Sequence, residues 1–515
     1  MIGKNRNFKS AALLMLCALA TTIHTSESVG QSHASVIQDA KGVSTQASCG
    51  VLSIRPIADG AIRVRCSSSK TEPEASLVLI HQEDHVGFKV IRETNSVSVR
   101  TSRMWATLNT KTYTLRFADS SGKLLLEEIA GARIVKPSTA QGQPTQSAED
   151  RFKSPEDESL FGSGQFQDGY LNIRDLPRHM TQVNSQISIP FLISSKGYGL
   201  LWHNYGLTDL NAADERVNLS VESKGATSTA QITTNEGTRT VAQTSTAFTG
   251  ELTVPSSGRY AMMLDSGQRL TQIYHVEIDG KTVLDLENRW LPGTTGWLQE
   301  MTAGKHTVRV KATAKDRPAL YWRASAAETT LRSAVSDGVD YVVFAGPRTD
   351  DIVKTYRQLS GQAPLMPLWA YGFIQCRERY SSSSQIVDTA MEFRDHKLPI
   401  DLIVQDWQYW GKYGWNAMQW DEKDYPDPAA MVKQLHDLHI KLMVSVWSNM
   451  ATSTAVSKEF SEKGYLLGKS STPYVDLFNP DAAALYWKNF SARMLSLGID
   501  AWWLAPLKTK IWMIK

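Results

Sequence analysis

An aspartate set among aromatic side chains is the group in this 515-residue chain best suited to do chemistry. Asp406 lies in Gln405-Asp406-Trp407-Gln408-Tyr409-Trp410-Gly411, directly after the apolar run 400–404. A carboxylate accepts paired hydrogen bonds from neighbouring hydroxyls, and aromatic faces cover the C–H faces of a pyranose ring. The pattern therefore points to carbohydrate, although the same residue could cap a loop. Trp447 ends a second apolar run (442–447), and Trp503 lies in a third (501–504). Ten of the fifteen tryptophans follow residue 366, which suits a sugar cleft, while each ring taken singly could be core packing.

The elements that must hold these residues follow from periodicity. Beyond Pro367, apolar runs at 369–375, 400–404, 442–447 and 501–504 alternate with helical spacing at 384–396, 429–438 and 481–497. Strand–helix alternation of this length predicts a parallel (β/α)8 TIM barrel, of which strands one to four are present. Such barrels carry their sites at the C-terminal ends of the strands, where Asp406 falls. Upstream, residues 45–225 alternate apolar and polar residues with the half-buried strand period, as in Val51-Leu52-Ser53-Ile54-Arg55. A second strand-rich block covers 226–325, and strand pattern returns at 328–346, so the block reads as an insertion into the first β-domain. The Ser/Gln/Thr-rich stretch 137–150 reads as a surface loop.

Composition excludes several classes. Charged residues make up 21% and the net charge is only +3, with no basic stripe, so nucleic acid is not the expected partner. Lys4, Arg6 and Lys9 precede an apolar run at 11–22, the pattern of an export signal ending near residue 34 and too short to span a membrane. No membrane span is expected elsewhere, and Cys17 sits in a poor context for lipidation. Cys49 and Cys66 flank a predicted hairpin and either pair in an oxidising compartment or are two small buried residues. No cysteine spacing fits zinc, and His436 and His439 read as surface helix residues rather than metal ligands.

Several ordered motifs resemble glycoside hydrolase family 31. They are Tyr371-Gly372-Phe373-Ile374-Gln375-Cys376-Arg377-Glu378-Arg379-Tyr380, the Asp406 segment, Asp424-Tyr425-Pro426-Asp427-Pro428 with Tyr425 in place of the family's Phe, and Trp447. Upstream, Phe161-Gly162-Ser163-Gly164-Gln165 and residues 190–199 resemble the family's N-terminal β-sandwich. Ser257-Gly258-Arg259-Tyr260, Ile278-Asp279-Gly280-Lys281 and Gly304-Lys305-His306 resemble a PA14 domain, a β-sandwich attached to sugar-processing enzymes. The resemblance implies a retaining α-glycosidase, needing no cofactor or metal, with one carboxylate as nucleophile and another as acid/base. It implies that Asp406 holds the sugar in the −1 subsite, with Trp407, Tyr380, Trp447 and Trp503 lining the same pocket. Trp502-Trp503-Leu504 is similar to the family strand that ends in the nucleophilic Asp, yet Ala505 follows.

The expected architecture is thus multidomain β plus α/β: a signal peptide (1–34), an N-terminal β-sandwich (35–225, continuing at 326–365), a PA14-like insert (226–325) and a truncated barrel (366–515). The expected activity of the family parent is hydrolysis of terminal α-linked xylose from xyloglucan oligosaccharides by an exported enzyme. An α-glucosidase or transglucosylase, and a non-catalytic carbohydrate-binding protein, are the alternatives. The chain itself is expected to be inactive, because Ala505 has no nucleophilic atom and the acid/base is expected beyond Lys515. Restoring one base at codon 505 permits Asp-Ala-Thr-Glu followed by an acidic stretch, so the tail reads as a frameshift.

Overall fold

In this computed structural model the described residues are 36–68, 76–80, 86–140, 142–234 and 237–504. The expected leader, Cys17 and Ala505 lie outside them. Among the described residues no helix is long and apolar enough to cross a membrane.

The first β-region contains three antiparallel sheets over a shared core. An eight-stranded sheet runs from Ile37–Asp39 at one edge, through Gly50–Ala58, Ala61–Ser67, Val339–Ala345 and Tyr198–Trp202, to Leu160–Gln165 at the other. A five-stranded sheet places Glu328–Ser336 between Gln143–Lys153 and Thr208–Leu210. A five-stranded meander covers Lys89–Glu93 to Leu124–Glu127. Strand alternation sends Ile54, Val64, Phe117, Phe152, Trp202 and Tyr341 into one cluster.

One predicted loop is a hairpin instead. Ile134–Ala140 and Gln143–Lys153 pair over residues 137–150, and the second strand continues against Glu328–Ser336. Its described Ser, Thr and Gln side chains are exposed or half-buried, and main-chain bonding sets the conformation without an apolar stripe to reveal it.

Cys49, in the turn before Gly50–Ala58, and Cys66, in the neighbouring strand Ala61–Ser67, form a disulfide with a Cα–Cα distance of 5.8 Å. It closes a loop of sequence separation 17, so removing it should cost about 3 kcal/mol by the chain-entropy account. Denaturant unfolding of Cys66→Ser against the oxidised parent measures this.

A charge network is buried beside Tyr341. Arg133 donates to both oxygens of Glu128, and Glu128 also accepts from Leu115 N at 2.8 Å and Tyr341 OH at 2.5 Å. The second carboxyl, Asp150, is fully buried 3.6 Å from Arg133 Nε. Burial, then the proximity of Glu128, pushes the Asp150 carboxyl well above its ordinary range.

The inserted block begins earlier than residue 226. Glu215–Val217 already pairs with Ala319–Ala324 in a separate seven-stranded sheet, built mainly on Gly258–Ile278 and Gly304–Thr313. A three-residue strand is too short to reveal its sheet by alternation. Thr208–Leu210 and Glu328–Ser336, on either side of the block, pair directly with each other. Asp279 and Gly280 turn a hairpin with φ of 51° and 73°. The Asp279 carboxylate takes Thr307 N at 2.8 Å and meets His306 Nδ1 at 2.6 Å. His306 holds the Asp279 carboxyl below its usual range.

The C-terminal region is a parallel sheet in the order Ile374–Cys376, Leu402–Gln405, Lys441–Val446, Ala501–Leu504. Helices Ser383–Asp395, Pro428–Asp437, Ala455–Glu462 and Pro480–Arg493 cover one face. Asp427 caps the second helix through Ala430 N at 2.9 Å and Asn479 caps the fourth, each followed by a proline suited to the first helical turn. The first strand is shorter than the run 369–375. Leu368–Tyr371 is a 3-10 turn after Pro367, and extended pairing starts only at Ile374. Asp500 locks the last strand in place, accepting from Leu442 N at 3.0 Å and meeting Lys441 Nζ at 2.9 Å and His436 Nε2 at 2.8 Å. His436 is therefore engaged by the Asp500 carboxylate.

Candidate functional site

The strand register sorts side chains between two faces. Ile403 pairs with Leu442, and Gln405 with Val444 and then Trp502. This row faces the helices, where the Trp502 ring lies 4.4 Å from that of Phe490. The opposite face carries Val404, Met443 and Ala501, and beyond them Ser445 beside Trp503. Trp503 is 41% exposed there. Asp406 follows Gln405 at the C-terminal end of the second strand, at the level of Ser445.

The chain turns sharply at this point. Trp407 and Gln408 have φ of 25° and 57°, a left-handed pair without glycine. Such residues cost about 1–3 kcal/mol each and persist only where their surroundings hold them. Two buried polar side chains do so. Gln405 Nε2 donates to Asp406 O at 3.0 Å and to Tyr380 O and Trp407 O at 3.3 Å. Trp407 N donates to Ser445 Oγ at 2.8 Å. Asp406 and Trp407 are left half-buried at the sheet end.

The Cys376 thiol, at the end of the first strand, is pushed up to about 11 by the atoms packed around it and then by the negative charge of Asp406. The Arg379 guanidinium lies 6.0 Å from the Trp407 ring centre, and that of Arg377 lies 5.5 Å from Tyr380.

Aromatic rings form the adjoining wall. Trp415 lies 6.0 Å from Trp407, 5.3 Å from Trp410 and 4.8 Å from Trp447, all with tilted planes. Trp447 is 5% exposed, and its carbonyl accepts from Asn416 Nδ2 and Tyr486 OH. Tyr380 is 1% exposed, and its carbonyl takes the Tyr425 hydroxyl at 2.6 Å. Tyr425, which stands where the motif has Phe, thus uses its extra oxygen to pin the Tyr380 segment. Of the five residues singled out in sequence, Asp406 and Trp407 lie together at the sheet end and Trp503 faces the same side. Tyr380 and Trp447 are buried.

Comparison with known families decides what this arrangement is. Residues 363–506 match the glycosyl hydrolases family 31 TIM-barrel domain. Residues 51–211 match the glycosyl hydrolase 31 N-terminal galactose mutarotase-like domain. The chain belongs to glycoside hydrolase family 31.

Family 31 relatives include the α-xylosidase of Saccharolobus solfataricus, 27% identical over 399 residues, which cover 75% of this chain and 39% of that protein. The crystal structure of a family 31 α-xylosidase from Xanthomonas citri superposes with a TM-score of 0.77 at 29% identity, covering 91% of this chain and 57% of that one. An α-glucosidase of Saccharolobus solfataricus is also similar, 27% identical over 180 residues, or 33% of this chain and 26% of that protein. The chain thus spans well under two thirds of the length of these three relatives.

Two residues that bind this family 31 site together were not singled out in sequence: Gln405 and Ser445. Their signal is a polar residue interrupting an apolar strand, in Leu402-Ile403-Val404-Gln405 and Val444-Ser445-Val446. A polar group there must be satisfied or it is costly.

Proposed function

We propose that this family 31 chain derives from a retaining α-glycosidase that removes terminal α-linked xylose from xyloglucan oligosaccharides. The observation that carries the reading is Asp406 beside Trp407 at the end of the second barrel strand, in a chain whose similar proteins include α-xylosidases. A half-buried carboxylate next to an aromatic ring is suited to gripping adjacent sugar hydroxyls. The inserted block, expected at 226–325 and in this reading a PA14-like module, would meet the longer arms of a branched oligosaccharide. The basic and apolar start of the sequence supports export. An α-glucosidase is the second reading, favoured by the similarity to a Saccharolobus α-glucosidase.

The chain as it stands is proposed to bind sugar without cleaving it. Retaining hydrolysis needs a carboxylate that attacks the anomeric carbon and a second carboxyl that protonates the leaving oxygen. Ala505 occupies the expected nucleophile position, and its methyl group cannot form the glycosyl bond. The codon pattern after residue 504 supports a shifted frame, which the gene sequence at codon 505 tests. With 4-nitrophenyl α-D-xyloside, the purified chain should release no xylose above a buffer control, while calorimetry with a xyloglucan heptasaccharide should show binding. Xylose release that persists after contaminating glycosidases are excluded would overturn the non-hydrolytic reading. Preferential binding of maltose over the xylosylated ligand would favour the glucosidase reading.

A further inference from the structure

We propose that Gln405 and Ser445 are positioning residues that fix the Asp406–Trp407 turn for carbohydrate binding. The proposal rests on the reading of Asp406 as a sugar ligand. Both side chains are fully buried, so neither touches substrate, and each acts through another residue. Three carbonyl oxygens, those of Tyr380, Asp406 and Trp407, converge on the Gln405 amide nitrogen. Only an N–H donor suits that place. A carboxylate would confront three oxygens, and an apolar group would leave them without it.

One side chain thereby joins the segment after the first strand to the turn after the second. Ser445, on the third strand, accepts from Trp407 N at 2.8 Å and sits in register with Trp503. Together the two polar groups connect the ends of the first three strands, and main-chain pairing sets the fourth, with Trp503, beside Ser445. They also hold the left-handed pair Trp407–Gln408, which ordinary backbone preference would release. Released, the turn would swing the Asp406 carboxylate away from Cys376 and from the sugar.

The test uses the full chain carrying Cys17→Ser, so that Cys376 is the reporting thiol beside the Cys49–Cys66 disulfide. Three quantities are measured for Ser445→Ala, Ser445→Thr, Gln405→Met and Asp406→Asn: the reaction rate of Cys376 with an aromatic disulfide reagent at pH 8, affinity for a xyloglucan heptasaccharide, and the thermal melt. Moving the Asp406 charge away lowers the thiol pKa, so Ser445→Ala and Gln405→Met should react about threefold faster or more. They should bind about tenfold more weakly, the size of one lost hydrogen bond. Asp406→Asn should show the same thiol acceleration, and Ser445→Thr should keep both readouts at the parent's values.

Parental thiol rates in Ser445→Ala and Gln405→Met would overturn the proposal, whatever their melting temperatures. So would failure of Ser445→Ala to fold while Ser445→Thr folds, which would assign the hydroxyl to stability alone. Absence of sugar binding by the parent would instead sink the reading of Asp406 as a sugar ligand, and the thiol rates would still decide whether the turn is held as proposed.

Discussion

Asp406→Ala should abolish measurable binding of a xyloglucan heptasaccharide, with an affinity loss of about 100-fold or more. Each hydrogen bond to an ionised carboxylate contributes about 1.5–3 kcal/mol, and a carboxylate gripping two adjacent hydroxyls forms two of them. Asp406→Asn keeps one acceptor and the shape, so its loss should be smaller, about tenfold. Titration calorimetry of both variants gives the ratio. Equal affinities of the parent and Asp406→Ala would remove Asp406 from the ligand site. The turn should survive either change, because its anchors are the Gln405 amide and the Ser445 hydroxyl, which bond main-chain atoms.

Arg133→Met should destabilise the N-terminal β-region by about 3–5 kcal/mol, the usual cost of stripping one partner from a buried ion pair. Glu128 would be left in the core without its guanidinium partner, held by neutral donors such as Leu115 N and the Tyr341 hydroxyl. Its neighbour Asp150 gives the opposite sign. The folded state holds the Asp150 proton well above the ordinary value of 3.8. Its favourable contribution is complete below 3.8 and is lost as pH rises through the folded-state value. Asp150→Asn keeps the neutral form at every pH. Its stability relative to the parent should therefore grow from pH 5 to pH 8. Denaturant unfolding of the parent and both variants at the two pH values measures this, and an Asp150→Asn chain that loses ground with rising pH would contradict it.

Periodicity made the C-terminal sheet readable, because each strand is a short apolar run and each helix announces itself by spacing and by a cap such as Asp427-Pro428 or Asn479-Pro480. It failed where main-chain bonding works without an apolar stripe. The hairpin across 137–150 is polar and only partly buried, and Glu215–Val217 has three residues. Pro367 and Gly372 border the turn that shortens the first strand, although the side chains there look apolar throughout. At the site, Asp406 and Trp407 were visible because a carboxylate beside an aromatic ring is a local pattern. Gln405 and Ser445 were not, since each acts on atoms of another segment. The Tyr425 departure was visible as a mismatch, and its meaning came only with the 2.6 Å bond to the Tyr380 carbonyl.

The seam at which the second β-unit enters has a mechanical consequence. Leu210 stands opposite Leu331, so the outgoing and returning chains cross the boundary as hydrogen-bonded neighbours. The host sheet is knitted shut at its base whatever is threaded above, and the added unit hangs from a socket. Two lateral clasps, Leu298 N on the Tyr170 hydroxyl at 3.1 Å and Arg323 on Asp175 at 2.5 Å, stop it from swivelling. Evolution can thus lengthen, trim or exchange this appendage at one stitch without unpicking the fabric beneath.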